Sequence, residues 1–564
     1  MSMLWDRGGR ALLPELLARE WDVVVIGGGI TGAGILLEAA RRGLKVLLVE
    51  QRDFAWGTSS RSSKLVHGGL RYLKEGQFGL TRESVHEREH LLRQAAGLVE
   101  PQSFAFGDYV GRKPGKKMFL LGLAIYDVMA RRGARDAGAS AQARRRHYYP
   151  REEFMALAPN VSSAGLQGGM VYTDAKTDDA RLVLRVLQEA RQHGGVAVNY
   201  LALQSLLRDG AAGGARTDAG ANARDRGAGG AGGDGATGAI RGALLRDALT
   251  GTEYQVRAKL VISATGAWAD GLRAQGGAAP RLRPLRGSHL VLPAWRLPLA
   301  QAVSLMHPAN GRPVFAFPWE GVSLIGTTDV DHKHDLSAEA AITRAEVDYL
   351  MAALHDQFPQ LDLKESDILA SYAGVRPVID TGQKDPSKEG RDHALWLEQG
   401  LLTVTGGKLT TFRVIALDAL KQASVLLPHW HADLAPTPVF GDPIPLHYNR
   451  HLSVAQARRL QGRYGAQAQA LIDAAQPGEL EAIPGTETLW AQLRWAARCE
   501  AVLKLEDLLL RRSRIGIQLR GGGIAIMERI RAICQPELGW SDEQWQAELA
   551  AYLTLWNTHY SLPA

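Results

Sequence analysis

Gly27, Gly29 and Gly32, followed by an acid at Glu50, are the residues of this 564-residue chain whose types and spacing first point to chemistry. They fit the holding of a dinucleotide. Gly27 allows a tight turn, Gly29 lets backbone approach a pyrophosphate, and Gly32 lets helix and strand pack closely; Glu50 can accept from a ribose. This set alone leaves open whether the dinucleotide is FAD or NAD. After Glu50 comes a loop dense in hydroxyls and glycine that contains His67, a side chain able to move protons near neutral pH. The two cysteines, Cys499 and Cys534, have neither CxxC nor metal spacing. They read as packed thiols in a reducing compartment, with no disulfide framework and no metal site.

The elements around these residues follow from pattern. Trp21 to Ile26 is an apolar, β-branched run, the mark of a strand buried on both faces. Ile35, Leu36, Ala39 and Ala40 give a helix that ends at Gly43, and Lys45 to Val49 gives a second strand. Residues 81–95 read as a charged amphipathic helix on which His86 and His90 are solvated. A strand from Gly169, a helix over Asp178 to Arg191 and a second buried strand from Leu260 come next. Strands are expected over 284–330, a helix from Arg344 to Phe358, and a strand–glycine turn–helix unit from Leu401. Gly210 to Gly238 is almost all Gly, Ala, Asp and Arg, too poor in apolar surface to offset its ordering entropy. It reads as a disordered insertion between two hairpin strands. A Pro-rich linker at Pro436–Pro445 precedes a helical remainder, and the length calls for two or three domains.

Net charge is +7, with basic residues spread rather than massed, which argues against nucleic acid and fits an anionic small substrate or lipid surface. No stretch approaches the ~20 apolar residues of a membrane span, and the first twenty residues lack the apolar core of a leader. Met118 to Ile125 lies between Arg112, Lys113, Lys116 and Lys117 on one side and Arg131 and Arg132 on the other. That arrangement suits either a buried helix or docking on an anionic membrane.

Several motifs then coincide in order: Val24-Val-Ile-Gly-Gly-Gly-Ile-Thr-Gly, Gly57-Thr-Ser-Ser-Arg-Ser-Ser-Lys-Leu-Val-His-Gly-Gly-Leu-Arg-Tyr, and Ala264-Thr-Gly-Ala-Trp. They continue with Arg286-Gly-Ser-His, Ile325-Gly-Thr-Thr-Asp, Tyr372-Ala-Gly-Val-Arg-Pro, Gly406-Gly-Lys-Leu-Thr-Thr-Phe-Arg and, near the C-terminus, Leu505-Glu-Asp-Leu-Leu-Leu-Arg-Arg-Ser-Arg. With these the chain resembles the FAD-dependent glycerol-3-phosphate dehydrogenases over roughly residues 20–560, apart from the Gly/Ala insertion. Two departures stand out: that insertion is longer than the family's hairpin, and Ala267 takes the place of the proline usual before Trp268.

The resemblance implies an α/β fold: a Rossmann-type FAD-binding domain of the D-amino-acid-oxidase-like kind, an interleaved, mostly antiparallel β substrate domain, and a C-terminal α-helical domain. The expected parts are residues 20–90, 165–280 and 370–425 for FAD, 91–164 and 281–369 for the substrate or cap domain, and 430–564 for the helical domain, with 210–238 as the insertion. FAD is expected to meet Gly27, Gly29, Ile30, Thr31 and Gly32, then Glu50 and Gln51. From the serine-rich loop it takes Thr58, Ser59, Ser60, Lys64, Leu65, His67, Gly68 and Gly69. Ala264, Thr265, Gly266 and Trp268 join from the third motif, and Gly406, Gly407, Lys408, Leu409 and Thr410 from the last. The glycine pairs 68–69 and 406–407 are expected to place backbone donors near the flavin.

For catalysis the resemblance points to Arg71, Arg376 and Arg391 as a guanidinium clamp for a dianionic phosphate. His67 is the expected base for the C2 hydroxyl, Lys408 a stabiliser of negative charge, and Thr327 and Tyr72 are expected to orient the substrate. The implied reaction is oxidation of sn-glycerol 3-phosphate to dihydroxyacetone phosphate by hydride transfer to FAD, with electrons passed to a membrane quinone. The alternative acceptor is O2, giving hydrogen peroxide. A phosphate-sensing flavoprotein without turnover is the reading from another class. A homodimer attached peripherally to the inner, cytoplasmic face of the membrane completes the expectation.

Overall fold

The structure, a computed structural model, describes residues 2–70, 76–112, 115–136, 146–209, 238–386, 389–448 and 451–563. Arg71, Tyr72 and nearly all of the Gly/Ala insertion lie outside the described residues.

The strand Glu20–Ile26 runs parallel to Val46–Val49 on one side and to Glu253–Ser263 on the other; Val196–Val198 and Leu401–Gly406 extend the sheet in parallel. Both faces are covered, which is why these strands are apolar throughout. Val23, Val25, Val46 and Leu48 point into a core completed by the helices Ile30–Ala40, Asp179–Gln192 and Phe412–Leu426. Val24, Ile26, Leu47 and Val49 point the other way, onto Leu13, Leu17, Leu201 and Leu245. Each such buried side chain contributes about 1.5–3 kcal/mol. The hairpin strands Leu201–Arg208 and Ile240–Asp247 pair antiparallel, so the insertion does connect two hairpin strands.

A second sheet is mostly antiparallel. Its central strand, Leu282–Pro293, pairs with Ala370–Ile379 and with Val322–Gly326; Pro313–Trp319 and Ala302–Met306 follow, and the latter runs parallel to Val99–Tyr109. Leu166–Thr177 then pairs with Val99–Tyr109. Leu166–Thr177 and Ala370–Ile379, assigned by sequence to the FAD-binding part, hydrogen-bond within the second sheet. The chain crosses back to the first sheet only at Asp178, whose carboxylate caps the helix Asp179–Gln192.

The charged helix is present as Phe78–Gln94, but several of its charged side chains, Glu87, Arg88 and Glu89, are buried. Glu87 takes Arg413, Arg88 takes Asp174, and His86 and His90 are half-buried rather than exposed. The Pro-rich segment packs against the first domain. Glu38 holds Arg41 and Arg42, which donate to the carbonyls of Asp433, Ala435, Pro438 and Val439. The helices beyond it, from Val454–Tyr464 to Asp542–His559, dock through buried ion pairs: Arg463 with Asp178, Arg181 with Glu500, and Arg511 and Arg512 with Asp53. Cys534 is buried and Cys499 half-buried, both unbridged, and burial pushes both thiols up. Among the described residues no helix is long and apolar enough to cross a membrane, and no cluster of three or more potential ligands could hold a metal.

Candidate functional site

A cavity of about 320 Å³ opens along the C-terminal ends of the parallel strands, within the size range of small-molecule sites. At one end lie Gly27, Gly29, Ile30 and Thr31, at the N-terminus of the helix Ile30–Ala40. The glycines are forced. A Cβ on Gly27 would stand 2.5 Å from the Ala264 carbonyl, and one on Gly32 would stand 1.9 Å from the Gly27 carbonyl. Gly29 carries no such backbone conflict; it faces the cavity, with Ser59 Oγ accepting from the Ile30 N–H at 3.0 Å. The Glu50 carboxylate accepts from Gly28 N–H (2.7 Å) and Arg52 N–H (2.9 Å), and burial raises its pKa. Gln51, Thr58, Ser59, Ala264, Thr265, Gly266 and Trp268 also line the cavity, and so do Gly406, Gly407, Lys408 and Leu409. A groove of helix-terminal amides, a ribose-height carboxylate and glycine turns fits a dinucleotide.

Other expected cofactor residues are placed behind this surface. Lys64 is fully buried and donates to Asp179 (3.0 Å) and to the Ser60 carbonyl (3.0 Å), away from the cavity. Ser60 and Leu65 are buried beside it, and Thr410 donates to the His67 carbonyl. The expected backbone donors are spoken for at two glycines. Gly68 N–H donates to Tyr126 Oη (2.9 Å) and Asp174 Oδ1 (3.1 Å), and Gly407 N–H donates to the Asp392 carbonyl. Gly69 adopts a left-handed turn just after His67.

His67 and Lys408 interact electrostatically. Burial depresses the His67 pKa, Asp174 opposes this, and Lys408 and Arg88 add to the depression. The ring is therefore neutral and able to accept a proton at neutral pH. Lys408 Nζ donates to Ser84 Oγ at 2.7 Å, and burial lowers its pKa to about 8.

Across the cavity mouth the strand Ala370–Ile379 alternates. Pro377 lines the cavity, while Arg376 reaches Thr327 Oγ1 (3.0 Å) and Asp329 (2.8 Å). Arg391 donates to the same Asp329 at 3.1 Å. Thr58 donates to the Val375 carbonyl, tying this strand to the serine-rich loop. Thr327, Arg376 and Arg391 are thus brought together; Arg71 and Tyr72 lie outside the described residues.

Several residues of the cavity were not among those expected from the sequence. Trp56 and Gly57 line the cavity, and Trp56 packs on Trp268 with ring centroids 5.7 Å apart. Leu201 and Leu203, two apart on one strand, turn the same face to the cavity, which period-two reading would have found once the strand was placed there. Thr405 bonds the Gly266 carbonyl, and Arg312 joins Asp329 from a Gly-Arg-Pro turn.

Residues 22–413 match the family model described as FAD dependent oxidoreductase, and 427–545 match the C-terminal domain of alpha-glycerophosphate oxidase. The aerobic glycerol-3-phosphate dehydrogenase of Staphylococcus haemolyticus is 34% identical over 523 residues, 88% of this chain and 87% of that protein. The Staphylococcus aureus enzyme of the same name is 33% identical, covering 88% and 86%. Among solved structures, the glycerol-3-phosphate dehydrogenase of Bacillus halodurans complexed with FAD superposes with a TM-score of 0.72 at 26% identity, covering 98% of each chain. An L-alpha-glycerophosphate oxidase of Mycoplasma pneumoniae shares the fold, with a TM-score of 0.52 at 19% identity and coverage of 76% and 99%.

Proposed function

Because this chain belongs to the FAD-dependent oxidoreductase family, and within it to the FAD-dependent glycerol-3-phosphate dehydrogenases, we propose that it oxidises sn-glycerol 3-phosphate to dihydroxyacetone phosphate and passes the electrons to a membrane quinone. The observation that carries this reading is one strand presenting Pro377 to the dinucleotide cavity and Arg376 to a guanidinium cluster beside it. FAD, when bound, supplies the acceptor for the hydride leaving C2.

The remaining work falls to the chain. Arg376 and Arg391, with Arg71 from beyond the described residues, hold the phosphate, and Thr327 fixes the Arg376 guanidinium. Neutral His67 takes the C2 hydroxyl proton as the carbonyl forms, and Lys408 offsets the negative charge that develops nearby. Trp56, Trp268 and Pro377 wall the cavity against water.

The helix Lys116–Asp136 docks the protein on an anionic membrane surface. Met118 (67% exposed), Leu121 (59%) and Val128 (50%) stand outward beside Lys116, Lys117 and Arg132, an arrangement suited to lying in the interface. Attachment is peripheral, on the cytoplasmic face, and the protein works as a homodimer. Turnover separates the acceptors. With glycerol 3-phosphate, reduction of a soluble quinone analogue should far outpace peroxide release in air; one peroxide per dihydroxyacetone phosphate, with no quinone reduction, makes the protein an oxidase.

A further inference from the structure

Outside the groups already assigned, one buried carboxylate is surrounded by guanidiniums. Asp329, its side chain 1% exposed, binds Arg312 (2.9 Å), Arg376 (2.8 Å) and Arg391 (3.1 Å) at once. Its Oδ1 takes Arg376, and its Oδ2 takes both Arg312 and Arg391. The three arginines come from separate places: a turn after Ala302–Met306, the strand Ala370–Ile379, and the loop before His393–Glu398. Without a counter-charge, three guanidiniums so close would repel one another and their side chains would spread into solvent. Asp329 lies between them, so the three guanidiniums are held together on one shared carboxylate.

The arrangement also leaves donors over. Arg391 Nη1 is buried and has no hydrogen-bond partner among the described residues, a donor that an incoming anion can take up. Gly287 keeps the space open: a Cβ there would stand 2.2 Å from Arg376 Nη2 and 2.6 Å from Thr327 Oγ1.

We propose that Asp329 is a positioning residue that sets Arg312, Arg376 and Arg391 into a preformed phosphate clamp, and that Arg312 is a member of that clamp. The inference rests on the reading that the substrate phosphate binds beside Arg376. Asp329 acts through the arginines and touches neither the reacting carbon nor the cofactor. Removing its charge should loosen the clamp and leave the hydride and proton steps in place.

The test compares glycerol 3-phosphate with glycerol, which has the same C2 alcohol and no phosphate, in wild-type holoenzyme and in Asp329→Asn. The wild type should prefer glycerol 3-phosphate strongly; if it does not, the phosphate reading itself fails, whatever Asp329 does. Given that preference, Asp329→Asn should lower kcat/KM for glycerol 3-phosphate about 10²-fold, the scale of a misplaced binding group, with the loss in KM and kcat nearly retained. Glycerol oxidation should fall far less. Arg312→Gln, at a side chain more exposed than Asp329, should show the same KM-only pattern in smaller measure and serves where Asp329→Asn folds poorly. Equal losses on both substrates, losses in kcat rather than KM, or no change in either variant would overturn the proposal.

Discussion

Arg512 grips Asp53 through both guanidinium nitrogens, Nη1 to Oδ2 at 2.6 Å and Nη2 to Oδ1 at 2.8 Å, with neither side chain exposed. Arg511 Nε takes Asp53 Oδ2 as well, and Asn199 donates to Oδ1. The pair joins the C-terminal helical domain to the loop that leaves Glu50, some 460 residues away in the chain. The helical domain is thereby part of the frame that holds the cofactor loop. Asp53→Ala strands two buried arginines and should lower unfolding free energy by about 3–5 kcal/mol. Thermal melts with and without added FAD would show it, as would loss of flavin on gel filtration. A variant that keeps both its stability and its flavin would separate the helical domain from cofactor binding.

The same contact sets a pH dependence. Burial alone would raise the Asp53 carboxyl, but Arg512 and Arg511 outweigh it and hold the pKa well below the usual range. A carboxyl depressed in the folded state stabilises fully above its unfolded pKa of about 3.9 and loses that contribution as pH falls below it. Acid unfolding should therefore steepen below pH ~4 in the wild type and be shallower in Asp53→Asn, measured by circular dichroism.

Turnover should carry the signature of His67 and Lys408. Burial first, then Lys408 and Arg88, keep His67 below its ordinary value, and burial takes Lys408 down to about 8. The rate should rise with pH as His67 loses its proton, at a point below about 6.5, and fall above about 8 as Lys408 becomes neutral. Lys408→Arg should push the alkaline limb upward. His67→Ala should lower kcat about 10²–10⁴-fold while FAD stays bound. An unaltered alkaline limb in Lys408→Arg would reassign that titration.

Membrane docking through Lys116–Asp136 should be electrostatic in part. Binding to anionic vesicles should weaken from 0.1 M to 1 M salt, over which the screening length falls from about 10 to 3 Å. Lys116→Glu with Lys117→Glu should weaken it further, and neutral vesicles should bind less. Co-sedimentation that ignores both salt and these charges would count against this face.

The fingerprint unit was legible because its signals are local. Val23 to Ile26 are apolar on both faces, and Gly32 answers to the Gly27 carbonyl within the same turn, whereas the contact that forces Gly27 comes from Ala264, far along the chain. The sheet to which Leu166–Thr177 and Ala370–Ile379 belong was not legible, because pairing partners far along the chain leave no local mark. Charge misled for a related reason. His86 and His90 were expected to be solvated on a charged helix, yet Arg413 and Asp174 arrive from distant elements to pair with Glu87 and Arg88 on that helix, as Asp179 does with the buried Lys64. Arg376 and Arg391 were expected near one another from sequence, whereas the Asp329 that gathers them, and Arg312 beside it, become visible only in three dimensions.

The central claim, that glycerol 3-phosphate delivers its C2 hydride to FAD in this cavity, is tested most directly by anaerobic mixing. The purified yellow holoprotein is mixed with sn-glycerol 3-phosphate under nitrogen, and the visible flavin absorbance is followed. Rapid bleaching at stoichiometric substrate is expected, with dihydroxyacetone phosphate formed in equal amount, and bleaching slowed by orders of magnitude in His67→Ala. Flavin that stays oxidised in the wild type would contradict it.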